Sequence, residues 1–489
     1  MKLLLQAILF ATAAGLAVIS GSDSFDFMDG TEFVITGRSL MLPHPPGYPL
    51  YTFISRTFTA AIPFAQPDYR FFRYLSAVLA GLVAISGYFA AKSLGCGRTG
   101  SAAGSLLMVS SGPVLSQLNV VEVHGLAMFL VLTAVASRST PLGPYAFSMS
   151  LFGGHPISLF HFPMAVSARF RERWLWFAVI PASLWLFIPL RSMLPGLCHY
   201  SNPTNAYETW SYLSLYGGRL TIPGTIGVTE FVKSLGVPSA AAMTILAVLS
   251  RRWSWRLFSA FAGSLLFLSS YSIPDTACIT WLPTLPLALW ASMGLSRLLS
   301  SPGKRYPALF LLLISVAGGT VSAWRRGDHA ARIIAGDYLR GAPFEAAFVT
   351  KGMNTFHTAY LLEVEDRRPD VTPMDQYGCF FRIPPPGVLS AYHVGKTVTA
   401  VRAWNNPSLR LNGLLFTSSS EPPDWSIYDI FRYDGPVHDG YTMDETAEIW
   451  ARRGLQSTGM LREKYREEAL RRACSDITRE RIKHLFEIF

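Results

Sequence analysis

From residue 3 to residue 323 long apolar runs alternate with short polar links, and beyond residue 323 the pattern changes to short alternating runs broken by turn residues. The first run, 3–20 (LLLQAILFATAAGLAVIS), follows Lys2, and further runs cover 72–91, 100–117, 119–137, 143–168, 174–190, 229–249, 257–273, 277–298 and 306–323. Runs of roughly twenty apolar residues are what a helix needs to cross the hydrocarbon of a bilayer. The first run also fits a signal peptide, but no small-x-small cleavage site follows it and further spans come later, so it is read as the first transmembrane helix. The 143–168 run is interrupted by Gly153-Gly154-His155-Pro156. A glycine pair followed by proline ends or kinks a helix. Counted as two short helices, this run brings the expectation to about eleven spans.

The pattern predicts a polytopic α-helical membrane domain over 1–323 and a soluble α+β domain over 324–489. The tail carries strand-like runs at 346–350, 396–404 and 411–418, turn-rich links such as Ile383-Pro384-Pro385-Pro386-Gly387, and a charged, helix-favouring end (LREKYREEALRR). Roughly 160 residues suffice to bury a core. There is no repeat of the kind that builds a solenoid, and no low-complexity tract.

Composition agrees. Half the residues are hydrophobic and 15% are charged, against roughly 25% charged in an ordinary soluble protein. The net charge of +10 lies entirely before Trp324, because the tail holds 22 basic and 22 acidic residues. The basic residues sit in short clusters between apolar runs, as topology signals do, rather than on a folded basic face with interleaved aromatics. Nucleic-acid binding is therefore not expected. With Lys2 cytoplasmic, the links holding Lys92/Arg98, Arg138, Arg169/Arg171/Arg173, Arg251/Arg252/Arg256 and Lys304/Arg305 all fall on the cytoplasmic side, provided that 143–168 counts as two passes. The first loop (21–70), the 191–228 loop and the tail then face the extracytoplasmic side. The cysteines, Cys96, Cys198, Cys278, Cys379 and Cys474, are far apart and suggest neither a disulfide framework nor a zinc site.

The densest chemistry lies in the first loop. Asp29 and Glu32 are three apart, so a helical turn places both on one face. Carboxylates there can serve as a general base for a hydroxyl, hold a metal or cationic substrate, or simply be solvated. His44-Pro45-Pro46-Gly47-Tyr48-Pro49 is a proline-stiffened turn that holds His44 and Tyr48 at fixed angles, as substrate positioning or a structural corner would require. Glu122 and His124 in VVEVHG, His155 in the glycine break and Asp275 in YSIPDT all fall on the same side as this loop. Polar groups at such depth face a cavity or one another. Arg191, at the end of WLWFAVIPASLWLFIPL, suits either bidentate phosphate binding or snorkelling.

Taken together, D-x-x-E-F, HPPGYPLY, V-E-V-x-x-L, Gly154-His155, Pro189-Leu190-Arg191, Asp275 and Arg368-Pro369-Asp370-Val371 make the chain resemble the polytopic O-mannosyltransferases of the transmembrane-protein-260 type and their bacterial relatives. The resemblance covers most of the chain and is strongest in the first 160 residues. It implies a GT-C-type fold and transfer of a sugar, mannose by family default, from a polyprenyl-phosphate donor to a hydroxyl acceptor, with inversion, on the extracytoplasmic side. It also implies an acidic base in the first loop, where Asp29 and Glu32 stand. There are departures: the family's D-S-G-E reads Asp29-Gly30-Thr31-Glu32 here, and its tail G-D-N-D-T-F reads Gly352-Met353-Asn354-Thr355-Phe356, without either acid.

The expected assignment is thus Asp29 and Glu32 as catalytic residues, and His44, Tyr48, Glu122, His155, Arg191 and Asp275 as donor- or substrate-binding residues. No metal and no cofactor is expected beyond the lipid-linked sugar. The partners are the bilayer, that donor, and a protein, glycan or lipid acceptor. A lipid or sugar transporter is the alternative. It predicts internal repeats and charges near the middle of spans, and the sequence has neither.

Overall fold

In a computed structural model of the protein, the apolar runs become helices whose ends are set by serine, glycine and proline. All residues are described except 1, 26–28, 46, 63–67, 167–178, 193–218, 221–225, 252–253, 273–275, 351–352, 376–397, 401–408, 419–421, 438–439 and 489. In chain order the first helices are α1 (Lys2–Ser20), α2 (Gly30–Ser39), α3 (Pro49–Ala61), α4 (Tyr69–Ser93), α5 (Arg98–Val109), α6 (Gly112–Leu118), α7 (His124–Ala136) and α8 (Leu142–Met149). The run at 100–117 is divided. Ser110 and Ser111 donate their hydroxyls back to Leu106 and Met108, which competes with the helical ladder, and α6 restarts with Pro113 in its first turn.

The chain forms two compact units. Met1–Gly21, Leu42–Leu194 and Pro203–Arg326 make the first, and Ser22–Met41 with Gly327–Phe489 make up most of the second. The first loop is therefore divided between them.

In the first unit, α4 packs against α1, α5 and α7, and the helix Trp281–Leu299 packs against α5 and the helix Val237–Leu249. Leu107, Met128, Val131, Leu285 and Leu289 are among its fully buried residues. In lipid there is no hydrophobic drive between helices, so close packing must hold them. Gly100 and Gly104 on α5 face Ser296 and Ser292, and a Cβ at either glycine would collide with the opposing serine. Small residues four apart on both helices thus allow the backbones to meet.

Among the described residues, four helices are long and apolar enough to span a membrane: Leu3–Ser20, Tyr69–Ser93, Ala277–Leu299 and Pro302–Ser322. The pair Gly227–Leu235 and Val237–Leu249, bent by 95°, makes a fifth if counted as one span. Shorter apolar helices at His124–Ala136 and Val179–Arg191 accompany them. The protein is an integral membrane protein, mostly helical. The described helices account for four or five of the eleven expected spans.

The expected break in 143–168 is present. After α8 a π-helical turn, Ser150–Gly154, leads to His155 in extended conformation, then a 3₁₀ helix, Pro156–His161, and a short helix, Phe162–Ala165.

The second unit holds a five-stranded sheet in the order β4-β3-β5-β7-β6. Here β3 (Ala347–Thr350) pairs in parallel with β4 (Thr372–Asp375) and β5 (Val398–Ala400), whereas β7 (Leu415–Thr417) is antiparallel to β5 and to β6 (Arg410–Asn412). The helix Met353–Glu363 connects β3 to its parallel neighbour β4. The 411–418 run is two strands of a hairpin turning over Gly413, not one strand. Three C-terminal helices, Gly440–Leu455, Gly459–Arg472 and Asp476–Ile488, pack around Ala447, Ala451, Ala469, Ala473 and Ile482.

The RPDV string of the tail is structural here. Arg368 holds Asp370 through two bonds of 2.8 and 2.7 Å and donates to the carbonyls of Leu339, Ala342 and Pro343. One guanidinium thereby ties the end of the helix Ala330–Gly341 to the approach to β4.

Candidate functional site

The proline turn of the first unit has the stiffness that its sequence suggests. Gly47 adopts φ 89° and closes the turn by donating its N–H to the carbonyl of His44 at 2.9 Å. Tyr48 follows at φ 37°, a left-handed conformation unusual for a bulky residue, and Pro49 starts α3. The result is a fixed pair: the Tyr48 hydroxyl and His44 Nε2 lie 3.2 Å apart, with the rings edge to face at 5.2 Å.

His155 comes to the same place from the glycine break, its ring 5.4 Å from that of Tyr48. His124, the first residue of α7, stacks on His155 at 4.9 Å. The column continues through Trp281, 5.7 Å from His124, to His161, which stacks on Trp281 at 5.3 Å. Six rings from four separate stretches of chain therefore form one contiguous row. His161 is anchored by donating Nε2 to the carbonyl of Leu282 at 2.9 Å, and His155 Nδ1 accepts from the N–H of Ile157 at 3.2 Å. His124 Nδ1, Trp281 Nε1 and His161 Nδ1 are buried and meet no hydrogen-bond partner among the described residues. Buried nitrogens of this kind call for a polar guest or water.

Glu122, buried at 4% exposure, directly precedes the row and accepts from the N–H of Val123 at 3.1 Å. Burial, reinforced by the charge of Glu122, raises the Tyr51 phenol well above its usual range. Arg191 lies at the end of the helix Phe187–Ser192 and is half-buried. That segment is fixed to α3 by Phe53 against Phe187 at 4.8 Å, and to the break by Phe152 against Trp185 at 5.4 Å. A cation at a helix C-terminus is also favourable in itself. The first unit thus brings His44, Tyr48 and His155 together, with Glu122 beside the row. Asp275 lies outside the described residues.

Asp29 and Glu32 belong to the second unit. They open α2, almost every residue of which is buried. Asp29 is the N-cap residue, yet its carboxylate makes no capping bond. Glu32, one turn on, is 1% exposed. A carboxylate buried this deeply needs partners or a task, because burying its charge is costly. The helix is held by Thr31, whose hydroxyl lies 2.9 Å from His357 Nδ1, and by Phe25, which stacks on His357 at 5.1 Å and meets Tyr360 edge-on at 5.2 Å. Ser22 donates to the carbonyl of Asp328 at 2.5 Å, and Arg332 covers Phe25 at 5.8 Å.

Trp281 and His161 carried no signal in the sequence, since each sits in an apolar run and only the ring contacts distinguish it. Nor does any local pattern foretell that α2 packs on the helix Met353–Glu363.

Residues 29–103 match the family model described as Protein O-mannosyl-transferase TMEM260 N-terminal domain. The matched segment opens on Asp29 and includes Glu32, His44 and Tyr48. The fold is similar to that in the crystal structure of ArnT from Cupriavidus metallidurans in the apo state, with a TM-score of 0.53 at 11% identity, over 86% of this chain and 98% of that one. No curated protein matches the sequence. The chain thus shares its fold with that structure, and over residues 29–103 it is similar to an O-mannosyl-transferase N-terminal domain.

Proposed function

We propose that the protein is a membrane glycosyltransferase of the GT-C type that moves a sugar, mannose-like by resemblance, from a polyprenyl-phosphate donor to a hydroxyl of a protein, glycan or lipid acceptor on the extracytoplasmic side. The observation that carries this reading is the segment beginning at Asp29. It matches an O-mannosyl-transferase family model, and in it a buried Glu32 and an Asp29 carboxylate not spent on capping stand one helical turn apart.

In the proposed step, Asp29 or Glu32 takes the proton of the acceptor hydroxyl as its oxygen attacks the anomeric carbon. The bond from that carbon to the phosphate oxygen breaks and the lipid phosphate leaves as an anion. Attack opposite the leaving group inverts the anomeric centre. Arg191 offers a bidentate guanidinium to the departing phosphate. His44, Tyr48, His155, Glu122 and Asp275 bind the donor. The unpartnered nitrogens of His124 and Trp281 extend this polar lining toward sugar hydroxyls. The proposed step uses no metal or cofactor.

The test is transfer of labelled sugar from polyprenyl phosphate by the purified protein in lipid. Loss of transfer in Asp29→Asn or Glu32→Gln is expected, and full transfer in both variants would remove the proposed base. The bent pair at Gly236 is a feature that favours a transporter, because broken helices frame transport sites. Movement of the donor lipid across the bilayer without any transfer product would favour that reading.

A further inference from the structure

A second concave site lies in the first unit, outside the ring row. A cavity of about 500 Å³ opens where α4, the helix Val237–Leu249 and the helix Trp281–Leu299 end, beside the start of α5. Its volume is in the range of small-ligand sites. Gly95 and Gly97 leave its wall open, Ser250 and Ser296 give it hydroxyls, and Arg251 and Arg297 give it charge. No Asp or Glu is among the residues that line it.

The charge balance decides what the cavity can hold. Three helices end beside the cavity and one begins there, so their end dipoles sum to about one negative charge. The two guanidiniums reverse this to about one positive charge. Arg297 uses one N–H on the carbonyl of Leu249 at 3.2 Å and keeps four others. Arg251 is exposed and sits at φ 52°, a backbone conformation that a residue with a side chain adopts only when the surroundings impose it. Ser250 is fixed by accepting from Trp290 Nε1 at 3.1 Å, and Ser296 Oγ accepts from the N–H of Gly97 at 2.9 Å. The site is therefore organised and suits a singly charged anion with several acceptor oxygens, as a phosphodiester is.

The cavity lies at the end of the candidate spans Tyr69–Ser93 and Ala277–Leu299, where a membrane surface would be. On the adjoining helix the apolar residues directly before Ser250 face outward, with Val248 72% and Leu249 37% exposed. Acyl chains can lie along that face while a head group enters the cavity. Basic pockets between spanning helices are known recognition sites for acidic lipid heads. We propose that this cavity binds the phosphodiester head of an anionic membrane phospholipid. The inference does not rest on the transferase reading.

The experiment uses the full chain purified in neutral detergent. Phosphatidylglycerol, phosphatidylcholine or inorganic phosphate is titrated in while the thermal midpoint is followed, and bound lipid is counted by native mass spectrometry. Phosphatidylglycerol is expected to raise the midpoint and to remain bound, and phosphatidylcholine is not. The double variant Arg251→Gln/Arg297→Gln should bind it at least roughly tenfold more weakly, as expected for lost charge-assisted bonds. Ser300→Trp, which fills the cavity from an exposed lining position without removing charge, should weaken it too and guards against a double variant that fails to fold. Lys304→Gln/Arg305→Gln, basic residues outside the lining, should bind as the parent does. Equal binding by the cavity variants, or equal loss in the Lys304/Arg305 control, would overturn the proposal. So would protection by inorganic phosphate as strong as by the lipid, since that marks a small-anion site.

Discussion

Thr31 and His357 are 326 positions apart in the chain, yet the Thr31 hydroxyl lies 2.9 Å from His357 Nδ1. This bond, with the stacking of Phe25 on His357, makes α2 part of the second unit, so the two carboxylates of the candidate base ride on the C-terminal part of the protein. Both partners are buried.

Thr31→Val should leave a buried histidine nitrogen without its partner, at a cost of about 1–3 kcal/mol in stability. A small misplacement of a catalytic group costs rate out of proportion to its energy. We therefore expect kcat for sugar transfer to fall roughly tenfold or more with KM for the donor little changed, and Thr31→Ser to restore it. Steady-state kinetics alongside thermal unfolding check this. A fall in stability with unchanged kcat would show that the bond serves the fold alone.

The same histidine predicts a pH dependence. Burial lowers the His357 pKa from 6.5 to about 3, so the folded chain keeps it neutral while the unfolded chain protonates it. Its contribution to stability is complete above pH 6.5 and is lost as pH falls toward 3, by about 1.4 kcal/mol per pH unit. Asp337 acts in the opposite sense. Burial raises its pKa from 3.8 to about 6, against the bonds from the N–H groups of Ile430 and Asp429 and the charge of Arg340. Its contribution is present below pH 3.8 and is lost as pH rises through about 6. Between about pH 4 and 6 the two slopes oppose each other. In His357→Gln that histidine's slope is removed, so stability should fall less on acidification from pH 6 to 4 than it does in the parent. Unfolding midpoints of parent and variant across this range would decide it, and identical profiles would show that His357 is not a titrating group.

Arg368 supports the fold, not the chemistry. Arg368→Met strips the guanidinium from Asp370, which keeps the Glu345 N–H, and from three backbone carbonyls, and about 2–4 kcal/mol should be lost. Arg368 also holds the Asp370 carboxyl well below its usual range. That contribution is present above pH 3.8 and is lost on acidification below it, so the difference between parent and variant should shrink there. Arg368→Lys keeps the charge but not the fork, and should recover only part of the loss. Transfer rates well below the unfolding temperature should stay within about twofold of the parent.

What the sequence made legible follows from the range of the forces involved. The turn at His44–Pro49 and the break at Gly153–Pro156 are imposed by backbone restrictions of the residues themselves, and both stand where the sequence put them. The ring row was only half legible. His44, Tyr48 and His155 are polar or amphipathic groups in conspicuous settings, but Trp281 and His161 lie in apolar runs, where hydropathy hides them. The placement of α2 was not legible at all, because it depends on Thr31 meeting a residue more than three hundred positions away. Span lengths were harder to read for a related reason. Hydropathy reports an apolar stretch whether or not serines and prolines divide it, as they do between α5 and α6.

Binding and architecture are separable in the ring row. His155 has two tasks: its Nδ1 caps the 3₁₀ helix at Ile157, and its ring stands between Tyr48 and His124. His155→Ala removes both, so loss of activity in that variant decides nothing. Asparagine is a good cap but a poor ring, and His155→Asn should keep the cap at a cost well under the ~1 kcal/mol of losing it. If the row binds the donor, His155→Asn will melt near the parent temperature while KM for the lipid-linked sugar rises roughly tenfold. Tyr48→Phe, which deletes only the hydroxyl 3.2 Å from His44, should raise it about fivefold, the equivalent of one neutral hydrogen bond. Unchanged KM in both variants would reduce the row to a structural column and return the donor site to Arg191 and the loop that follows it.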